Sequence, residues 1–236
     1  MPLPPNRGLD QIRSADERYL ATLDTVTEDG LKAPSVLPGW SRAHVVAHLA
    51  RNAEGLVRAA AGLLEGAPAP IYHSQNSRNA DIEADTGLPR DELVARSHRL
   101  HREVLDVFAS LSDEDWRGQV RRLPDTEPIP AANLVAMRHR EVEIHHADLG
   151  LSYSAADWPA DFTCVLIDQV CHDRARGPAC TLVATDVDAG PWRVGDGDGP
   201  EVSGPSWALA WWLVGRGSGD GLSSSDDELP DLGRWR

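Results

Sequence analysis

The sequence predicts an α+β protein, in which an N-terminal, up-and-down four-helix bundle over residues 1–153 is followed by a small α+β domain over residues 154–236. Three observations lead to this prediction. Four long segments carry apolar residues at helical spacing, one long connection separates the second from the third, and short β-rich segments replace the helical patterns beyond residue 153. A chain of 236 residues is long enough for both domains.

Amphipathic helical patterns define the four segments of the bundle. They are LDQIRSADERYLATLDTV (residues 9–26), SRAHVVAHLARNAEGLVRAAAGLL (41–64), RDELVARSHRLHREVLDVFASL (90–111) and a segment over about residues 131–149. The second begins at Ser41, a favourable N-cap residue, and carries Val45, Leu49 and Leu56 on one stripe. The connection at residues 65–89 is rich in Pro and Asn, and connections of this length are more often functional than idle.

Beyond residue 153 the patterns are shorter. A fifth helix is predicted at about residues 158–175, and strands are predicted in CTLVATDV and in PWRVGDGDGPEVSG. The GDGDG between the two short strands of the latter segment is typical of a hairpin turn. The tail GSGDGLSSSDDELPDLGRWR is rich in Gly, Ser and Asp and is expected to be irregular.

Composition and charge exclude several classes of protein. The formal net charge is −14, with 37 acidic against 23 basic residues, whereas binding to nucleic-acid phosphates needs a basic face. No apolar run approaches the roughly eighteen residues of a membrane span, and the N-terminus lacks the apolar region of a secretory signal. We therefore expect a cytoplasmic protein that binds neither nucleic acid nor membrane.

The three cysteines, Cys164, Cys171 and Cys180, are odd in number and include no C-x-x-C pair. A disulfide framework is therefore not expected. Cys164 and Cys171 share one face of a predicted apolar helix. We expect all three residues to be small buried hydrophobic groups rather than catalytic thiols.

One helical segment, RHREVEIHHADLG at residues 138–150, carries polar residues on the stripe that a helix normally buries. At about 100° per residue, Glu141, His145 and Asp148 fall within a sector of roughly 60° that also contains Leu134. An unpaired carboxylate in a protein core costs several kcal/mol, so these groups must be paired or bind a metal ion.

The second helix supplies candidate partners, His44 and His48, which lie four residues apart. His48 lies about 100° from the centre of the apolar stripe and His44 about 140°, so His48 is the better inward-facing candidate. Helical bundles build metal sites from ligands on facing helices. Two imidazoles and one carboxylate suit Zn²⁺ in an open catalytic site.

A hydrogen-bonded core cluster is the alternative interpretation. In it, Glu141 pairs with His145, and His48 is a core histidine whose hydrogen bonds are satisfied. Asp148 either accepts a hydrogen bond from a ligand imidazole or pairs with Arg138. Five further histidines are expected to be exposed to solvent: His73, His98, His101, His146 and His172.

Three blocks of sequence, LPGWSRAHVVAHLARNA, RHREVEIHHADLG and VGRGSGDGLSSSDDELPDLGRW, together resemble the mycothiol-dependent maleylpyruvate isomerases. These enzymes combine a DinB-like four-helix bundle with a smaller C-terminal domain. The resemblance covers nearly the whole chain, including an RN-x2-I element at residues 78–82. It implies that His48, Glu141 and His145 bind zinc and that Arg216 is the catalytic, substrate-binding arginine. Arg78 is a second candidate for binding the anionic substrate.

The resemblance also implies a function. Zinc would activate the thiol of mycothiol, whose reversible addition converts maleylpyruvate to fumarylpyruvate in gentisate catabolism. The expected partners are this dicarboxylate substrate and mycothiol, and the expected state is a monomer. Two alternatives stay open, a mycothiol S-transferase on the same scaffold and a non-catalytic module that binds a small ligand. For Arg216, the alternative to a role in catalysis is an interaction with the C-terminal end of the preceding helix.

Overall fold

A computed structural model of the chain describes residues 5–233 and 235. The chain divides into two compact units, Met1–Ser152 and Tyr153–Arg236. The predicted α+β class, with a four-helix bundle in the first unit and a small mixed structure in the second, is confirmed.

The first unit is mainly helical. Its helices are α1 (Pro5–Thr25), α2 (Glu28–Lys32), α3 (Arg42–Leu64), α4 (Gln75–Thr86), α5 (Arg90–Ser110) and α6 (Asn133–Asp148). A short antiparallel pair of strands, β1 (Gln119–Val120) and β2 (Ile129–Pro130), precedes α6. The four long helices agree with the four predicted segments to within a few residues at most ends.

The main helix contacts form a closed ring. Helix α3 packs against α5 and α6, and α1 packs against the same two helices. The apolar stripes predicted from the sequence form the core of this ring, where Val45, Leu49, Leu56 and Leu134 are fully buried. The ring places α3 beside α6, although α4 and α5 lie between them in the chain.

Helix α3 begins after Ser41, as predicted, and the side chain of His44 takes part in its cap. Nδ1 of His44 accepts a hydrogen bond from the Ser41 backbone N–H at 3.1 Å. Farther along α3, a Cβ atom at Gly55 would lie 2.6 Å from the carbonyl oxygen of Ile71. Gly55 therefore lets the chain that follows α3 lie directly on the helix.

Half of the long connection at residues 65–89 is helical. Ser74 begins α4 by accepting a hydrogen bond from the Ser77 backbone N–H at 3.0 Å. Ile82 is buried, and the Asp85 carboxylate pairs with the Arg51 guanidinium of α3 at 2.7 Å. This short helix is thus held by its cap, one apolar side chain and an ion pair, none of which gives a strong amphipathic pattern.

The second unit contains α7 (Ala160–Asp173), α8 (Ser206–Leu213) and a four-stranded sheet. Its strands are β3 (Cys180–Ala184), β4 (Trp192–Val194), β5 (Glu201–Gly204) and β6 (Ser223–Ser224), in the spatial order β4-β3-β5-β6. Helix α7 lies where the fifth helix was predicted. Between α8 and residue 233 the chain is irregular apart from β6, as expected.

The predicted hairpin around GDGDG is wrong. This stretch connects β4 to β5, but both strands pair with β3, antiparallel in the first case and parallel in the second. Leu182 of the central strand β3 is fully buried. A turn motif reports only the local bend of the chain, so it does not reveal that a third strand lies between the two that it joins.

No helix within residues 5–233 is long and apolar enough to cross a membrane.

Candidate metal centre

Three side chains from two helices converge between α3 and α6. Nε2 of His48 on α3 lies 2.9 Å from Oε2 of Glu141 and 3.1 Å from Nε2 of His145, both on α6. The Glu141 oxygen and the His145 nitrogen are 3.4 Å apart. The structure therefore brings together the three residues that the sequence predicted as metal ligands.

These distances suit a bound metal ion. Nitrogen and oxygen ligands at about 2.0–2.1 Å from a tetrahedral Zn²⁺ lie about 3.3 Å from one another. The three separations here are 2.9, 3.1 and 3.4 Å. A hydrogen-bonded cluster fits the same distances, because a single proton between the two facing imidazole nitrogens satisfies that contact. Two imidazoles and a carboxylate, with a fourth position open, form a donor set of catalytic zinc sites.

Asp148 orients one of the candidate ligands. Its Oδ2 atom lies 2.9 Å from Nδ1 of His145, and the carboxylate is fully buried. A proton on Nδ1 leaves the Nε2 lone pair directed at His48 and Glu141. Of the two roles that the sequence allowed for Asp148, the structure shows the contact with the imidazole, whereas the Arg138 guanidinium contacts other groups.

Burial and hydrogen bonds shift the pKa values of all three candidate ligands. Burial lowers the pKa of His48 to about 4, despite its hydrogen bond with Glu141. Burial acts in the same direction on His145, but hydrogen bonds with Asp148 and Glu141 raise the pKa of that imidazole to about 9. Burial alone would raise the pKa of Glu141, yet hydrogen bonds with the two histidines hold it well below its usual range. The ionised Glu141 carboxylate thus faces both imidazoles, at the point where a cation would be stabilised.

Arg78, at the start of α4, lies against the same site. Its Nη2 atom is 3.0 Å from Nδ1 of His48, and its Cζ atom lies 5.6 Å from the ring centroid of Tyr72. The indole of Trp40 packs edge-on to His48 with ring centroids 5.7 Å apart. A guanidinium is suited to binding a carboxylate, because its planar N–H donors match the two carboxylate oxygens.

A second buried polar group, which we call the Arg138 cluster, consists of Asp16, His101 and Arg138. Nδ1 of His101 lies 2.6 Å from Oδ1 of Asp16, and Nη2 of Arg138 lies 3.0 Å from Nε2 of the same imidazole. Nη1 of Arg138 donates to Oδ1 of Asn52 at 3.0 Å and to the Leu49 carbonyl at 3.1 Å. Burial and the Arg138 charge lower the pKa of His101 to about 4.

Two of the histidines expected in solvent are buried, so those predictions are wrong. His101 and His146 are each 1% exposed, and Nε2 of His146 lies 2.8 Å from Oγ1 of Thr22. Helix α1 packs against both α5 and α6 and covers faces that periodicity had assigned to solvent. His73 and His172 are exposed, as predicted, and His98 is partly buried beside Asp24 at 2.7 Å.

The cysteines and Arg216 lie in the second unit. Cys171 and Cys180 are buried, as predicted, whereas Cys164, which was also predicted to be buried, is only partly buried. Burial raises the pKa of the Cys171 thiol to about 12 and of Cys180 to about 11. Nη1 of Arg216 donates to the Val214 carbonyl at 3.0 Å, at the C-terminal end of α8. The catalytic role of Arg216 stays a prediction.

Known proteins resemble this chain at two levels. Residues 12–150, more than half of the chain, match the family model described as the mycothiol maleylpyruvate isomerase N-terminal domain. Two solved structures, of a mycothiol-dependent maleylpyruvate isomerase and of a histidine-to-alanine mutant, each align with a TM-score of 0.90 and 27% sequence identity. Each alignment covers 99% of this chain and 98% of the other. No curated protein matches the chain by sequence.

Proposed function

Because this chain belongs to the family of the mycothiol maleylpyruvate isomerase N-terminal domain, we propose that the protein is a cis-trans isomerase that converts maleylpyruvate to fumarylpyruvate. Its thiol cosubstrate is mycothiol, its metal ion is zinc, and its place is in cytoplasmic gentisate catabolism. The observation that carries the proposal is the convergence of His48, Glu141 and His145 within hydrogen-bonding distance of one another.

The reaction needs a thiolate. Maleylpyruvate carries a cis double bond conjugated to a ketone, and rotation about that bond is blocked. Addition of a thiolate to the carbon β to the ketone makes the bond single and moves an electron pair onto the ketone oxygen. Rotation, return of the electron pair and loss of the same thiolate then give the trans isomer, so the thiol acts as a covalent catalyst.

The proposed metal site would convert the thiol of mycothiol to the thiolate. A free thiol has a pKa near 8.5, so little thiolate is present at neutral pH, and coordination to a cation deprotonates it. His48, Glu141 and His145 would hold the ion, and Asp148 would hold the His145 ring in the tautomer that ligation requires. The raised pKa values of Cys171 and Cys180 argue against a thiolate from the protein itself.

Arginines are proposed to bind the substrate carboxylates. Arg78 is supported by geometry, because its guanidinium contacts His48 directly. Arg216 is supported by the family resemblance alone, and its contact with the Val214 carbonyl is also what a helix-terminal arginine would make. A loss of turnover in Arg216→Lys, with zinc content unchanged, would support the catalytic role.

A mycothiol S-transferase is the second candidate function, since the same metal-bound thiolate would serve it. The two activities differ in the fate of the thiol. An isomerase returns the thiol unchanged after each turnover, whereas a transferase consumes one thiol for each product molecule. Thiol titration during maleylpyruvate turnover distinguishes the two.

The test of the metal site compares two histidines on one helix. We expect one zinc per chain in the wild type, measured by elemental analysis, and isomerisation that requires added thiol. His48→Ala should lose most of the metal and the activity, with its helical circular dichroism retained. His44→Ala is the matched control, because His44 contacts Ser41 and Glu83 instead. Full zinc occupancy in His48→Ala would show that the ligand assignment is wrong.

A further inference from the structure

Tyr72 lies beside the candidate metal centre on a segment that several contacts hold in place. Its backbone N–H donates to the carbonyl of residue 122, and that of Ile71 donates to the carbonyl of residue 121, both at 2.9 Å. Nη1 of Arg58 donates to the Ile71 carbonyl at 2.7 Å. Together with the close approach at Gly55, these contacts fix the Tyr72 backbone against α3.

The hydrogen bonds around the Tyr72 hydroxyl determine where its proton can point. Nδ2 of Asn52 lies 3.4 Å from the hydroxyl oxygen. The Asn52 amide cannot be reversed, because its Oδ1 accepts from Nη1 of Arg138, and a guanidinium can only donate. The tyrosine oxygen is therefore the acceptor in its contact with Asn52, and its own proton is left to donate elsewhere.

The Tyr72 side chain lies close to the candidate metal centre, because the charge of Glu141 acts on it. Asn52 lies one helical turn beyond His48 on α3, and Arg78 contacts both the His48 ring and the face of Tyr72. Within residues 5–233 and 235, no acceptor for the Tyr72 proton is found. Tyr72 is buried, with 8% of the residue exposed, so the unused proton of its hydroxyl is expected to find an acceptor on a bound ligand.

We propose that the Tyr72 hydroxyl is a catalytic hydrogen-bond donor to the substrate's ketone oxygen. This inference rests on the isomerase function proposed above. When the thiolate lone pair forms the carbon–sulfur bond, the π electrons of the carbon–carbon double bond form the double bond of an enolate. The π electrons of the ketone move onto its oxygen, and the hydrogen bond from Tyr72 strengthens. After rotation, the electron pair on oxygen re-forms the ketone, the enolate π electrons re-form the carbon–carbon double bond, and the carbon–sulfur bonding pair leaves with the thiolate. Tyr72 neither gains nor loses a proton over the cycle.

The surroundings keep the phenol in the form that this role requires. Burial and the negative charge of Glu141 raise the pKa of Tyr72, so the hydroxyl stays protonated at neutral pH. A neutral donor fixed before charge develops is the arrangement that stabilises an oxyanion most effectively, because nothing reorganises during the reaction.

The test uses Tyr72→Phe, which removes one oxygen atom, in the zinc-loaded full-length protein with added thiol. We expect kcat to fall about 100-fold, as for loss of one oxyanion donor, with KM changed less than roughly threefold. Zinc content and Tm should be unchanged. Tyr19→Phe is the matched control, because Tyr19 is a fully buried tyrosine of the same bundle that stacks on His101 instead; its kcat should equal that of the wild type.

Ligand binding gives a second readout that does not depend on turnover. Acetopyruvate forms an enolate but has no double bond to isomerise, and maleate has two carboxylates but no ketone. Calorimetry should show acetopyruvate binding weakened at least about tenfold in Tyr72→Phe, as for loss of a hydrogen bond to a charged group, with maleate binding unchanged. If the wild type is active and Tyr72→Phe has the same kcat and the same affinity for acetopyruvate, the proposed role of Tyr72 is overturned, whereas the proposed function stands. A zinc-loaded wild type that does not isomerise maleylpyruvate would overturn the proposed function and this inference together.

Discussion

Arg138 has no exposed surface, and its removal is expected to destabilise the bundle strongly. Its guanidinium donates to Asn52 and to the Leu49 carbonyl and lies 3.6 Å from the Asp16 carboxylate. Arg138→Met replaces this side chain with an apolar one of similar length. The substitution preserves most of the packing while it removes the charge and the donors.

The loss of stability in Arg138→Met follows from the buried groups that lose Arg138 as a partner. Without Arg138, the Asp16 carboxylate remains buried beside the His101 imidazole, 2.6 Å away, and the Leu49 carbonyl and the Asn52 side-chain oxygen lose a donor. Breaking a buried ion pair by removing one partner costs about 3–5 kcal/mol. We therefore expect the free energy of unfolding to fall by about 4 kcal/mol. Asp16→Asn removes the uncompensated charge, so the double variant should lose at least about 1 kcal/mol less than the sum of the single variants.

Urea unfolding of the chelator-treated protein, followed by far-ultraviolet circular dichroism, measures these differences. Arg13→Met is the matched control on α1, because Arg13 pairs with Asp10 at 2.6 Å on the exposed surface. That variant should stay within about 0.5 kcal/mol of the wild type. A loss below about 1 kcal/mol in Arg138→Met, or strict additivity in the double variant, would refute the reasoning.

Two further predictions concern the metal centre and the Arg138 cluster. Asp148→Asn should weaken zinc binding about 10–100-fold by removing the carboxylate that orients His145; chelator competition measures this, and a change under about threefold would contradict the assignment. His101 has a pKa of about 4 in the folded protein against about 6.5 when unfolded. Its contribution to stability is therefore complete above pH 6.5 and is lost as pH falls towards 4, by about 3 kcal/mol in all. Urea unfolding of the metal-free protein at several pH values should show a shallower decline in His101→Gln, and identical declines would count against this account.

Helical periodicity was sufficient to find Glu141 and His145 as candidate ligands because they break the pattern of the helix that carries them. Glu141 and His145 are polar residues on an apolar stripe, and such an exception demands a partner. The stripe of α3 predicted the buried Val45, Leu49 and Leu56 for the same reason. Both results depend only on residues within one helix, where spacing along the chain determines position in space.

Features that depend on neighbours distant in the chain were not predictable in this way. His101 lies off the apolar stripe of α5 and is buried because α1 packs against that helix, and the Arg138 cluster takes its carboxylate from Asp16 of α1. The pairing of β4 and β5 with β3, rather than with each other, depends on a strand that the GDGDG motif does not report. Tyr72 and Asn52 carried no signal at all, since one lies in an irregular connection and the other looks like an ordinary helix residue.

The origin of the candidate ligands on two helices has a consequence for the lifetime of the protein. His48 and Glu141 are 93 residues apart in the sequence, and the unfolded chain does not hold them together. A cation that binds only the folded chain adds about 1.4 kcal/mol to the free energy of unfolding for each tenfold excess over its Kd. Metal supply would then set how often the bundle opens, and with it how fast proteases remove the protein. A cell short of the metal would lose the polypeptide as well as its activity.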